Sequence, residues 1–299
     1  MSTAYAEPVE LAEALAAVSS GARPVAGGTD LVVGARQGKA GLPDSLVAIH
    51  RLPELRGIAE HAGGLRLAAL VSHEELAADT QVRERYTAIA DASAIVGSHA
   101  TRHVGTIGGN VMNASPAMET GGPLICFDAE AVLASISGER RVAVADLLTA
   151  PGRTSARPDE LLVAVELPAL PAESGSCYVR LEYRRQMEIA VVGATAMVVL
   201  EEGRVADARV AITALAPTIR RVPEAEAALA GSDGGEEAVE AAAAATAVAS
   251  EPISDVRGSA DYRRAMAAVI TARAVAGALA RARGQVVPIP ASPALHGAG

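Results

Sequence analysis

The chain has 299 residues with a formal net charge of −9 at pH 7, and half of its residues are hydrophobic. The acidic balance argues against broad binding to nucleic acids or anionic membranes. No charge-free apolar run of about 18 residues predicts a transmembrane helix, and no basic region followed by an apolar core marks a signal peptide. Two cysteines make neither a disulfide framework nor a four-ligand metal site, so we expect a cytoplasmic protein with reduced thiols.

The first half of the chain alternates helical and extended patterns. Apolar residues spaced near 3.6 predict an N-terminal helix, and Ser72-His73-Glu74-Glu75 is a capping box that opens another helix. Alternating residues on either side of Gly138 predict a hairpin. The predicted elements are helices at 8–17, 31–37, after Ser72 and at 82–95, strands ending at 26 and at 46–49 and 65–69, and a hairpin of 131–136 with 141–144.

The second half begins after a stretch rich in Pro, Gly and Ser at residues 169–175, which is typical of a linker. Strand patterns then precede helical patterns, which predicts an α+β layer domain. The predicted elements are strands at 177–183, 194–201 and 206–215, then helices at 224–230, 236–249 and 260–283. Residues 285–299 are rich in Pro, Gly and Ala, and we expect a mobile tail there.

Two short motifs, far apart in the sequence, each combine a glycine pair with small hydroxyl or amide side chains. Glycine permits positive φ and lets a ligand approach the main chain closely. Successive N–H groups in such turns form a concave nest for an anion, and two nests would suit the two phosphates of one dinucleotide. The motifs read Pro24-Val25-Ala26-Gly27-Gly28-Thr29-Asp30 and Gly105-Thr106-Ile107-Gly108-Gly109-Asn110.

Neither motif matches the G-x-G-x-x-G fingerprint or the P-loop. For each loop alone, an ordinary strand-to-helix turn is the competing interpretation. The presence of both loops favours cofactor binding. Main-chain dipoles can hold a pyrophosphate without Lys or Arg, so the negative net charge does not argue against it.

The order and spacing of these motifs resemble the FAD-binding medium subunit of the xanthine dehydrogenase and aerobic carbon monoxide dehydrogenase family of molybdenum hydroxylases. The first motif is similar to that family's A-G-G-T/S-D-L loop. The second is similar to its T-I-G-G-N loop, which is followed by Asn-x-Ser-Pro, here Asn113-Ala114-Ser115-Pro116. A third landmark, an Arg-rich stretch ending in Asp-Ile-Ala, reads here Tyr183-Arg184-Arg185-Gln186-Met187-Glu188-Ile189-Ala190. The resemblance covers roughly residues 8–283.

The resemblance implies an α+β fold. A two-subdomain FAD-binding domain of the PCMH type, vanillyl-alcohol-oxidase-like, would cover residues 1–170 and divide near residue 57. A small domain of antiparallel sheet plus helices would cover 176–284. The family binds FAD non-covalently, receives electrons from 2Fe-2S clusters on a small iron–sulfur subunit and passes them to NAD or another acceptor. Hydroxylation takes place at molybdopterin on a large partner subunit, and the complex is expected to be a dimer of heterotrimers.

The resemblance also implies which residues bind FAD. Glu119 stands where the family commonly has Asp, and Leu162 where an apolar residue packs against the flavin. Arg180 stands where many relatives have Lys, and Tyr183 is the candidate for a ring packed on the flavin face. Each has a competing structural interpretation: Glu119 as a surface carboxylate, Leu162 as a core leucine, Arg180 as a surface arginine and Tyr183 as a structural tyrosine. The predicted set is Val25, Ala26, Gly27, Gly28, Thr29, Asp30, Thr106, Ile107, Gly108, Gly109, Asn110, Glu119, Leu162, Arg180 and Tyr183.

His99 and His103 are spaced i, i+4, a spacing that binds metals on helices. No third ligand is evident in their vicinity and Gly105 interrupts a helix, so we interpret both as non-ligands. No metal site and no catalytic residue is assigned. Two alternatives to the molybdenum hydroxylase subunit stay open: a stand-alone FAD-binding oxidoreductase, and an assembly module that has lost FAD.

Overall fold

The structure, a computed structural model, describes residues 3–38 and 41–296. Its N-terminal part contains a small parallel sheet, a larger antiparallel sheet and a set of short helices. In chain order the elements are β1 (Ala4–Ala6), α1 (Leu11–Ser19), β2 (Arg23–Val25), α2 (Leu31–Arg36), β3 (Ser45–Ala48), a 3-10 turn (Pro53–Leu55), β4 (Ile58–His61), β5 (Gly64–Ala68), α3 (His73–Ala78), α4 (Thr80–Arg85), α5 (Thr87–Ser93), α6 (His99–Val104), α7 (Ile107–Asn113), α8 (Gly121–Cys126), β6 (Glu130–Ser135), β7 (Gly138–Ala143), α9 (Val144–Leu147), β8 (Leu148–Ala150), β9 (Arg153–Thr154) and β10 (Leu161–Leu167).

The small sheet has β3 at its centre, with β1 and β2 parallel to it on either side. Helices α1 and α2 lie in the connections that parallel strands need. Ala14 and Val18 of α1 share a core cluster with Val132 and Leu161 of the larger sheet. The small sheet therefore packs with α1 against one face of the larger sheet. The two helices and the two strands predicted for this region are confirmed, with small shifts at their ends.

The larger sheet has the antiparallel order β4-β5-β10-β6-β7, and β6 and β7 are the predicted hairpin. The single helix predicted at 82–95 is wrong, because two helices, α4 and α5, occupy this region. Tyr86 separates them with φ −115° and ψ 47°. Its buried ring packs edge-on against Phe127 at 5.2 Å, and its hydroxyl donates to the carbonyl oxygen of Pro168 at 2.6 Å. These tertiary contacts favour the break over the local helical pattern.

The C-terminal part is a four-stranded antiparallel sheet covered by helices. Its strands follow one another in sequence order, which confirms the predicted strands-then-helices arrangement. In chain order its elements are β11 (Ser174–Leu181), β12 (Val192–Glu201), β13 (Arg204–Thr213), β14 (Arg220–Arg221), α10 (Pro223–Leu229), α11 (Glu236–Ala249), α12 (Ala260–Ala282) and α13 (Ala291–Leu295).

Helix α12 is long and apolar enough to cross a membrane by length and composition alone. Its buried residues Ala267, Ile270 and Ala274 lie in one core cluster with Val179 of β11 and Val198 of β12. A core helix of a folded domain passes the same length and composition test. The packing of α12 on the sheet therefore accounts for its apolar character.

The two parts meet along β11. Ser176 Oγ accepts a hydrogen bond from the main-chain N–H of Ala88 at 3.1 Å. The N–H of Tyr178 donates to the carboxylate of Asp91 at 3.1 Å. Residues of α8 and β12 also share one hydrophobic cluster, so the interface between the two parts is buried and continuous.

The C-terminal segment is not the mobile tail that its composition predicts. Ala291 and Ser292, in α13, are buried. The N–H of Ala291 donates to the Asp91 carboxylate at 3.0 Å, and Ser292 Oγ accepts from the N–H of Arg180 at 3.0 Å. Both partners are distant in sequence, so composition gives no sign of this docking. Residues 297–299 lie outside the described part of the chain.

Candidate cofactor-binding site

The first glycine motif connects β2 to α2. Gly28 has φ +67°, in the left-handed region that favours glycine. None of the described residues accepts a hydrogen bond from the main-chain N–H groups of Gly27, Gly28 or Thr29. Ala26 packs against the core beneath the loop, and Asp30 precedes α2 without making a capping hydrogen bond. These three N–H groups therefore have no partner among the described residues, and their binding of an anion stays a prediction.

Gly27 of the first motif lies against the residue that precedes the second motif. A Cβ atom at Gly27 would lie 1.9 Å from the carbonyl oxygen of Val104, so only glycine fits there. A Cβ atom at the adjacent Gly105 would lie 3.7 Å from Thr29 Oγ1. Val25 ends β2 and pairs with β3, which holds the loop at the edge of the small sheet. The two motifs are far apart in sequence and in contact in the fold.

The second motif is the first turn of α7. Thr106 caps this helix, and its Oγ1 accepts from the N–H of Gly109 at 3.1 Å. The N–H groups of Ile107 and Gly108 donate to main-chain carbonyls of the segment after β5, at 2.9 and 3.0 Å, and that of Asn110 donates to the Thr106 carbonyl at 2.9 Å. The prediction of a second nest of free N–H groups is therefore wrong, because helix formation and packing use all four.

The two glycines of this turn serve different purposes. A Cβ atom at Gly108 would lie 2.7 Å from the carbonyl oxygen of Ala69, so Gly108 is required by tight packing. Gly109 is exposed, and among the described residues a Cβ atom there would come within 4 Å of Thr106 Oγ1 alone, at 3.1 Å. The surface at Gly109 is therefore open to a ligand that approaches the main chain closely.

A chain of polar contacts leads from the second motif to the interface between the two parts. Thr120 Oγ1 donates to Asn110 Oδ1 at 2.7 Å. The preceding residue, Glu119, is buried. One of its carboxylate oxygens accepts from Arg180 and the other from the Tyr178 hydroxyl. Glu119 thus links the N-terminal part to β11. Its burial shows that the alternative interpretation, a surface carboxylate, is wrong.

Arg180 is completely buried. It donates from Nη1 to Glu119 and from Nε to Glu182, and its Nη2 has no partner among the described residues. Burial alone lowers the pKa of Arg180, but the carboxylates of Glu119 and Glu182 outweigh burial and raise that pKa, so the guanidinium stays charged. Only Nη2 remains for a further acceptor, and a direct contact of Arg180 or Glu119 with FAD stays a prediction.

Leu162 and Tyr183 have contrasting surroundings. Leu162 is 2% exposed and belongs to the core cluster that both parts share. Tyr183 is 62% exposed, and its hydroxyl donates to the carbonyl oxygen of Arg257 at 2.5 Å. The environment of Leu162 fits a core leucine, whereas the ring of Tyr183 is accessible to a ligand.

The Arg-rich segment after β11 reaches the N-terminal part. Met187 has φ +52°, and its N–H donates to the carbonyl oxygen of Gly97 at 2.8 Å. Thr101 Oγ1, in α6, donates to Met187 Sδ at 3.6 Å. Because α6 ends at Val104, beside Gly27, the three sequence motifs border one region of the molecule.

The sequence gives no sign that His73 lies behind the second motif. Its N–H donates to the carbonyl oxygen of Gly105 at 3.1 Å, and its Nδ1 has no partner among the described residues. Burial, and then the charge of Arg102, lower the pKa of His73 from 6.5 to about 4. The imidazole is therefore neutral near pH 7. The sequence indicates only that His73 belongs to the capping box, not that it is buried.

Glu74, also from the capping box, lies beside the histidine pair. One potential ligand atom each of Glu74, His99 and His103 lies within 4.8 Å of the other two. The expectation that a third group is missing near these histidines is therefore wrong. The two histidines also lie on one helix, α6, which ends just before Gly105.

Comparisons with known proteins agree with this arrangement. Residues 1–170 match the family model of the FAD binding domain in molybdopterin dehydrogenase, and residues 178–278 match that of the CO dehydrogenase flavoprotein C-terminal domain. The carbon monoxide dehydrogenase medium chain of Hydrogenophaga pseudoflava is 31% identical over 280 residues, which cover 93% of this chain and 97% of that one. The 6-hydroxypseudooxynicotine dehydrogenase complex subunit alpha of Paenarthrobacter nicotinovorans is 33% identical over 88% of each chain.

Solved structures agree as well. A carbon monoxide dehydrogenase structure from Hydrogenophaga pseudoflava superimposes with a TM-score of 0.90 at 32% identity, over 94% of this chain and 98% of that one. The structure of quinoline 2-oxidoreductase from Pseudomonas putida 86 superimposes with a TM-score of 0.88 at 28% identity, over 94% of this chain and 98% of that one.

The chain belongs to the family of FAD-binding medium subunits of molybdenum hydroxylases. It is an oxidoreductase subunit with FAD as its cofactor, and the stand-alone flavoprotein is not the better interpretation. The described residues fit this cofactor: the first loop has three free N–H groups, and the surface at Gly109 is open.

Proposed function

We propose that this chain binds one FAD non-covalently where its three motifs meet, and passes electrons from the 2Fe-2S clusters of a partner subunit to NAD or another acceptor. The observation that carries the proposal is the close approach of Gly27 to Val104. This contact places the free N–H groups of the first loop beside the segment that leads into α7. FAD supplies the redox chemistry when bound, and the protein holds and orients it.

Each part of the site has its own role in this proposal. The N–H groups of Gly27, Gly28 and Thr29 bind the pyrophosphate, and the bare main chain at Gly109 lets the cofactor lie close. The proposed set stays Val25, Ala26, Gly27, Gly28, Thr29, Asp30, Thr106, Ile107, Gly108, Gly109, Asn110, Glu119, Leu162, Arg180 and Tyr183.

The electrons come from a partner because this chain lacks thiolates for an iron–sulfur cluster. A ferredoxin-type cluster needs four cysteine ligands, and the chain has two cysteines, Cys126 and Cys177. Both are buried, and burial raises the pKa of each thiol, which keeps both protonated.

The partners follow from the names of the relatives. Several are called medium chains or FAD-binding subunits of dehydrogenases. We therefore propose a small iron–sulfur subunit and a large molybdopterin subunit as partners, assembled as a dimer of heterotrimers, a heterohexamer. The proposal includes a cytoplasmic complex without nucleic acid and without membrane insertion, in line with the net charge of −9 and the core packing of α12.

Purification of the native complex tests the proposal. We expect a yellow protein that co-purifies with one chain containing iron and one containing molybdenum. Acid precipitation should release FAD into the supernatant. A yellow chain without partners would favour the stand-alone oxidoreductase, and a colourless chain within the complex would favour the assembly module. Flavin retained in the acid pellet would contradict non-covalent binding.

A further inference from the structure

We propose that Glu74, His99 and His103 form a binding site for one divalent transition-metal ion of the Zn²⁺ type. Glu74 lies in α3, and the two histidines lie one turn apart on α6. A ligand atom from each lies within 4.8 Å of the other two, so small side-chain movements bring all three onto one ion. This site does not depend on FAD binding.

The imidazole of His103 makes a hydrogen bond that suits such a role. Its Nδ1 lies 2.9 Å from the main-chain oxygen of His99. A carbonyl oxygen only accepts, so Nδ1 carries the proton and the lone pair of the neutral ring is on Nε2. Metal-binding histidines commonly donate their second ring N–H to a carbonyl or carboxylate in this way. The hydrogen bond thus fixes both the tautomer and the ring direction.

The carboxylate of Glu74 is held by its neighbours without being enclosed. Its Oε2 lies 3.2 Å from Arg102 Nε and 3.6 Å from His99 Nδ1. These contacts engage one oxygen, and among the described residues no hydrogen bond or ion pair engages Oε1. The side chain of His99 is 71% exposed, so an ion can enter from solvent and complete its coordination with water.

The ligand set selects the class of ion. Two imidazoles and one carboxylate suit Zn²⁺, Co²⁺, Ni²⁺ and Cu²⁺, whereas Mg²⁺ and Ca²⁺ prefer sites made only of oxygen. The positive charge of Arg102 beside Glu74 reduces the attraction for a cation. We therefore expect a reversible site that releases its ion to a chelator.

An ion at this site would tie α3 to α6. The N–H of His73, the first residue of α3, donates to Gly105, and α6 ends at Val104 against Gly27. The ion would therefore hold α6 in place, and with it the contact of Val104 with Gly27 of the first motif. The effect on the fold is a stabilisation of α6 against local unfolding.

The test is a titration of the full chain after EDTA treatment and its removal. Calorimetry with Zn²⁺ should show saturable binding of one ion per chain, and Co²⁺ should give visible absorption bands of a coordinated ion. His99→Ala and His103→Ala should each weaken Zn²⁺ binding by at least about tenfold. Glu74→Gln should also weaken it. His50→Ala, which removes an exposed histidine outside the cluster, should leave binding unchanged.

All three side chains are partly or fully exposed, so the variants are expected to fold, and circular dichroism checks this. Absence of saturable Zn²⁺ binding by the parent chain would overturn the proposal. Binding of parental strength in the double variant His99→Ala/His103→Ala would overturn it equally, because the ion would then lie elsewhere.

Discussion

Asp91 and Arg281 form a buried ion pair between the N-terminal part and α12, with Arg281 Nη1 and Nη2 at 2.6 and 3.0 Å from the two carboxylate oxygens of Asp91. The side chain of Asp91 is fully buried and that of Arg281 is 8% exposed. Asp91 also accepts from the N–H groups of Tyr178 and Ala291. One carboxylate therefore holds β11, α12 and α13 on the N-terminal part.

Replacement of this carboxylate should be costly. Asp91→Ala leaves Arg281 as a buried charge without a counter-ion, and such a change costs about 3–5 kcal/mol of unfolding free energy. Urea unfolding at fixed FAD concentration measures the loss. Asp261→Ala is the matched control, because Asp261 is 95% exposed and pairs with Arg264 on the surface, where a pair is worth at most about 1 kcal/mol. Equal losses of unfolding free energy in the two variants would show that Asp91 does not hold the two parts together.

His73 should give the chain a pH-dependent stability. Its pKa is about 4 in the folded chain against 6.5 ordinarily, so below pH 6.5 the unfolded chain binds a proton that the folded chain does not. Unfolding free energy should therefore fall between pH 6.5 and 4, by up to about 3 kcal/mol. Urea midpoints at pH 7 and pH 4.5 measure the slope. We expect the unfolding free energy to depend less on pH in His73→Gln and equally in His50→Gln. Identical pH dependence in all three chains would refute the attribution to His73.

Glu119 should matter for stability as well as for FAD. Glu119→Gln weakens the hydrogen bonds to Arg180 and Tyr178, and bonds to charged groups are worth about 1.5–3 kcal/mol. We expect reduced stability and a loss of FAD affinity smaller than that in Gly109→Val. Flavin fluorescence titration gives the affinity and urea unfolding the stability. Unchanged FAD affinity together with reduced stability would assign Glu119 to the interface alone.

The sequence predicts the elements that rest on local signals. Helix α11 occupies the predicted residues 236–249, and the capping box at Ser72 is present with both of its hydrogen bonds. The hairpin of β6 and β7 follows from alternation and a glycine at its turn. In each case the information lies within a few neighbouring residues.

The remainder depends on contacts between distant residues. The break at Tyr86 depends on Phe127 and Pro168, and the docking of α13 depends on Asp91. For the site, the glycines point to a cofactor loop, but which of their N–H groups are free depends on packing. The presence of Glu74 beside the histidines depends likewise on how α3 and α6 pack.

The most direct measurement of the central claim is the FAD content of Gly109→Val. A side chain at Gly109 would need only a small shift of the Thr106 hydroxyl, 3.1 Å from its Cβ atom, and it would face the approaching cofactor. The variant should therefore fold with an unchanged circular dichroism spectrum and purify colourless. Gly34→Val, at an open position in α2, is the control and should keep its FAD. A folded Gly109→Val chain that retains full FAD content would contradict the account, because the second motif would then be a structural turn.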